Sequence, residues 1–187
     1  MKRFDEGRRK SAERDSPLMK LMEDVKKAID EKDYSLAINT IDNAEATLDP
    51  VYKVALLPNL KFTTLLEFDP AEALRFANEV AKEKPQSKFM FAQVIGEKEG
   101  LPKELYFFAI ESFKDMLASP GAVKPLVYNI IAKTYFQLGD ALNAVDYQQQ
   151  AVDSAKESLE KGEYQGTVNN NTLKEYQTTL EKYKSKK

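Results

Sequence analysis

The sequence predicts an all-α fold, an array of stacked antiparallel helix hairpins ending in a C-terminal capping helix. Three observations lead there. Apolar residues recur at helical spacing, as in Leu18, Leu21, Met22, Val25 and Ile29, and again in Leu126, Ile130, Ile131 and Tyr135. Residues that start and stop helices punctuate the chain at regular intervals. Seven Gly and eight Pro in 187 residues leave room for long helices, and no stretch alternates at period two, so no strand is expected.

The elements follow in order. Residues 1–14 carry six Lys/Arg and three Asp/Glu, and 1–16 reads as a basic N-terminal segment or linker helix of marginal stability. Ser16-Pro17 reads as N-cap and first helical residue of a helix over 17–31, followed by one over 34–48. Asp49-Pro50 opens 50–67, inside which Pro58 is expected to kink or split the helix. Asp69-Pro70 opens 70–84, with Glu72 at capping-box spacing. Helices over 87–98 and 102–118 flank Gly100, and helices over 124–138 and 140–161 end at Gly139 and Gly162. A polar linker, 162–171, leads to a capping helix over 172–185 with Thr172 and Glu175 as capping box and a basic tail to 187. Its Leu173, Tyr176, Leu180 and Tyr183 form one apolar stripe. Four hairpins thus occupy 17–161.

The hairpins share a register. Ala37-Ile38, Ala73-Leu74, Ala109-Ile110 and Ala144-Val145 each lie a few residues into a second helix, spaced 36, 36 and 35 residues apart. Alanine is 19 of 187 residues, so four chance matches in one column have a probability of about 10⁻⁴. A small side chain there lets the two helices of a hairpin approach closely.

The last hairpin carries a resemblance. Val127 to Asp140 is similar to the first helix and turn of a tetratricopeptide repeat, and Ala141 to Val152 to its second helix, with Tyr128, Ala132, Tyr135, Gly139, Ala144 and Ala151 at the patterned positions. The first repeat keeps Leu21, Ala28, Asp33-Tyr34, Ala37 and Ala44, while the middle two are degenerate. The resemblance implies a right-handed solenoid whose first helices line a peptide-binding groove. A second resemblance, carried by Phe68-Asp69-Pro70 with Ala73, Gly100 to Tyr106, and Leu173 to Tyr176, is to the helical region that follows the thioredoxin domain in thioredoxin-family thiol–disulfide oxidoreductases. It implies a thioredoxin domain ahead of this region in a longer protein, and with it a periplasmic or exported setting.

Function is bounded mainly by what is missing. The chain has no His and no Cys, which removes their metal ligation, nucleophile and base chemistry, thiol redox chemistry and disulfides. No Gly-rich phosphate loop and no EF-hand loop occurs. The acid pair Glu111 and Asp115 reads as a solvated helix face, the aromatic set Phe89, Phe91, Tyr106, Phe107, Phe108 and Phe113 as core, and the sequon Asn170-Asn171-Thr172 as a turn and cap. No cofactor, metal or enzymatic activity is expected. The net charge is -2, with +3 on residues 1–14, +3 on 181–187 and therefore -8 on 15–180. An acidic body argues against nucleic acid as partner. No apolar run approaches the ~20 residues of a membrane span, and the first residues are too polar for a secretory signal, so membrane insertion is not expected and the cytoplasm is the default setting.

What remains is a protein or peptide partner. A fixed offset of eleven residues back from each alanine lands on Lys26, Phe62, Lys98 and Lys133, with Met22, Val94 and Asn129 on the same faces and Phe136 one turn on. These are the candidate groove residues of a non-catalytic protein–protein interaction module. Two other functions stay open: an accessory domain of a thiol–disulfide oxidoreductase, and an enzyme with a carboxylate site.

Overall fold

The computed structural model describes residues 2–54 and 56–186, with side chains from Ser16 onward. Among the described residues there are ten helices and no strand: α1 (Lys2–Asp30), α2 (Tyr34–Ala44), α3 (Pro50–Lys53), α4 (Leu56–Phe68), α5 (Pro70–Glu83), α6 (Ser87–Glu97), α7 (Lys103–Leu117), α8 (Lys124–Leu138), α9 (Ala141–Lys161) and α10 (Asn170–Lys184). None is long and apolar enough to cross a membrane.

Aspartates cap the starts of α2, α3, α5 and α9. Asp33 accepts from the Leu36 N–H at 3.0 Å, Asp49 from Val51 at 2.9 Å, Asp69 from Glu72 at 2.9 Å and Asp140 from Asn143 at 3.1 Å, each satisfying an amide that has no partner within its helix. The capping box at Asp69 is only half made, because the Glu72 carboxylate instead takes the Arg75 guanidinium at 2.5 and 2.7 Å. Gly139 and Gly162 end α8 and α9 in the left-handed conformation, with φ of 86° and 68°.

The structure departs from the sequence reading at two helix starts and gives a split, one of the two expected outcomes, in the Pro58 helix. The start expected at Pro17 falls inside α1, which runs on toward the N-terminus through a segment rich in Lys, Arg and Glu, all good helix formers. The helix expected over 50–67 is split into α3 and α4, and Pro58 lies in the first turn of α4, where its missing N–H costs no internal bond. The capping helix starts two residues early: Asn169 is the cap, accepting from Asn171 and Thr172 at 2.9 and 3.1 Å, so Thr172 donates its amide and does not serve as cap.

Two compact units make up the chain, Met1–Ser87 and Lys88–Lys187. In the first, α1 packs on α2, α2 on α4, and α4 on α5. Leu21, Val25 and Ala28 of α1 meet Ala37, Ile41 and Ala44 of α2, together with Leu48 and Leu57, in one apolar cluster. In the second, α7 packs on α8, α8 on α9 and α9 on α10. Gly96 brings the backbone of α6 close to α8, where a Cβ would lie 3.5 Å from the Thr134 hydroxyl. Ala37, Ala73, Ala109 and Ala144 are all 0 % exposed, on α2, α5, α7 and α9. Such burial at the four register positions fits close helix contact.

Candidate functional site

In the first unit α1 carries two adjoining stripes. Leu21, Val25 and Ala28 point inward and are buried, while Met22, Lys26 and Ile29, at the same spacing one residue on, run along the edge of that packed face. Beside this edge a groove of about 760 Å³ opens between α1 and α4. Val25 and Ile29 form its inner wall on α1, Leu60 its wall on α4, and Met19 and Met22 its lip. The two methionines are 70 % and 45 % exposed. Lys20, Glu23 and Lys26 rim it, so the groove is apolar inside with charge of both signs at its edge. Thioether side chains are unbranched and polarisable and re-pack easily around an apolar guest.

The second unit holds a different surface. Asn129, Lys133 and Phe136 recur at four and three residues on one face of α8, with Lys133 exposed and the other two half-buried. The Phe136 ring stacks on Tyr183 of α10, with centroids 4.3 Å apart and planes 17° from parallel. The ammonium groups of Lys182 and Lys186 sit 5.7 and 5.5 Å from the same ring centroid. On α6, Val94 is half-buried. Lys98 lies just past the end of α6, in a turn braced by the Tyr106 hydroxyl, which donates to the Lys98 carbonyl at 2.9 Å and accepts from the Leu101 amide at 3.2 Å.

Of the eight groove residues read from the sequence, Met22 and Lys26 come together in the first unit, and Asn129, Lys133 and Phe136 share one face in the second. Phe62 is fully buried on α4 and lines no surface; Leu60 stands in the groove instead. The reason is the length of the link between paired helices, which is 31–33 after α1, Asp69 alone after α4, 98–102 after α6 and 139–140 after α8. A fixed offset from the alanines therefore lands on a different face of each first helix, at 100° per residue. Counting back along each helix from its own end pairs Leu60 with Met22.

The acid pair Glu111 and Asp115 is taken up by lysines. Glu111 takes Lys114 at 2.9 Å and Asp115 takes Lys88. Lys114 also lies over the Tyr135 ring, and its ammonium is held well above the ordinary lysine range, first by the Glu111 hydrogen bond. Tyr135 stacks on Tyr147, whose phenol is raised by burial. Among the described residues no group of three or more acidic side chains is placed to hold a metal ion. Of the aromatic set, Phe91, Tyr106 and Phe113 are buried, Phe89 and Phe108 half-buried, and Phe107 is 52 % exposed because it lies on the far side of α7 from Tyr106, Ala109 and Phe113. No family model, curated protein or solved structure matches the chain.

Proposed function

We propose that the chain is a non-catalytic protein–protein interaction module built from tetratricopeptide-like hairpins, and that the α1–α4 groove takes an apolar helical segment of a partner protein. The observation that carries this reading is the exposure of Met19 and Met22 over an otherwise apolar groove. Two large apolar side chains partly in water at the edge of a packed face forgo a share of the about 1.5–3 kcal/mol that full burial of each is worth, which a guest would recover. An amphipathic helix suits the place, since its anchors at three- and four-residue spacing match a trough between two helices. The repeat reading is supported by the buried alanine register, the left-handed Gly139 and the Asp caps at three of the four second helices.

Selection from a displayed peptide library tests it. Enriched peptides should carry apolar residues at helical spacing, and Met22→Glu should weaken them by about tenfold or more, since a carboxylate at the lip would be desolvated against the guest's apolar face. Absence of enrichment, or full binding by Met22→Glu, would contradict the reading.

A further inference from the structure

We propose that the lysine-ringed Phe136 is a second binding site, one that takes an acidic segment of a protein partner. Lys182 and Lys186 bring their ammonium groups to 5.7 and 5.5 Å from one ring centroid, and Tyr183 already stacks on that ring at 4.3 Å. Long, exposed side chains of like charge would ordinarily splay apart into water. Here they converge on one ring, and Lys133, three residues before Phe136, adds a further exposed ammonium on the same face of α8.

Among the described residues neither α8 nor α10 pairs an acid with them. The sequence of α8, Lys124–Leu138, contains two lysines and no acid. On α10, Glu181 is taken by Lys184 at 3.0 Å, and among the described residues no ion pair joins Lys182 or Lys186 to an acidic side chain. The cluster stands against the charge of the chain, whose residues 15–180 sum to -8. A local cationic patch on an acidic body selects for short, local negative charge, because a long polyanion would be repelled by the rest of the surface. Carboxylates of an acidic peptide meet that condition, and the phosphate track of a nucleic acid does not. The Phe136–Tyr183 stack fixes the ring on which the two ammonium groups converge.

The site is independent of the α1–α4 groove, and the experiment keeps them apart. Fluorescence anisotropy with a labelled octaglutamate peptide at low salt should report binding to the wild-type chain. The double variant Lys182→Ala/Lys186→Ala should weaken it by about tenfold. Lys82→Ala/Lys156→Ala, which removes equal charge from two other exposed positions, should leave it nearly unchanged, and Met22→Glu should leave it unchanged. All four lysines are exposed, so the variants keep the fold. The proposal is overturned by no binding of octaglutamate, by equal losses in the two lysine double variants, by a loss in Met22→Glu, or by tighter binding of an oligothymidylate of the same length.

Discussion

Lys32 ends the turn after α1 with φ at 59°, a left-handed conformation that costs a side chain with a Cβ about 1 kcal/mol or more. The amides of Lys32 and Asp33 close the turn on the carbonyls of Ile29 and Ala28, at 2.9 and 2.8 Å, in the pattern that usually ends on glycine. Lys32→Gly should therefore raise stability by up to about 1 kcal/mol, seen as a higher urea midpoint. No glycine marks this turn in the sequence, so its left-handed residue could not be read there. Tyrosines give the fold a pH dependence. Burial raises the phenols of Tyr176 and Tyr183 above the usual range, so the unfolded chain ionises first. The neutral buried phenols contribute stability that is complete below the unfolded value of about 10 and is lost as pH climbs through the higher folded value. The midpoint should begin to fall as pH rises through about 10, and less steeply in Tyr183→Phe.

At the scale of elements, α10 is the clearest case of a helix held by its packing. Tyr176, Leu180 and Tyr183 are buried against the rest of the second unit, and Gln148 of α9, itself 0 % exposed, donates its amide to the Tyr176 carbonyl at 3.1 Å. The segment before it is also fastened. Val168 is buried, and the Tyr164 hydroxyl donates to the Ala122 carbonyl at 3.2 Å. Truncation after Gly166 exposes the α9 face and removes four buried side chains, Val168, Tyr176, Leu180 and Tyr183, worth about 1.5–3 kcal/mol each before entropy, so it should lower the midpoint clearly and promote aggregation. An unchanged midpoint would mean that α10 contributes nothing to the fold. The stripe of Leu173, Tyr176, Leu180 and Tyr183 made this helix legible in the sequence, because periodicity reports burial directly. Its cap was not, since Asn169, Asn170, Asn171 and Thr172 are all competent caps and only the path of 162–169 chooses among them. The same logic holds at Pro58. Its cost in a helix interior could be foreseen, whereas the choice between kink and split depended on where α4 could begin.

Across the whole chain, the alanine register and the aspartate caps were readable because each reports a local demand, a close contact or an unsatisfied amide. The interaction surface was only partly readable, because it depends on link lengths that differ from pair to pair. Met22 and Lys26 were reached and Leu60 was missed for that reason. The second unit shows the same pattern: Phe136 was found from α8, but its covering by Lys182, Tyr183 and Lys186 comes from a helix far along the chain. The central claim is that a partner's apolar segment docks between α1 and α4. The most direct measurement is a methyl spectrum of chain labelled at the methionine methyl groups, titrated with a peptide selected for binding. The signals of Met19 and Met22 should shift together and saturate, while those of Met90 and Met116, in the other unit, stay in place. Saturable binding that moves Met90 or Met116 and leaves Met19 and Met22 unshifted would contradict it.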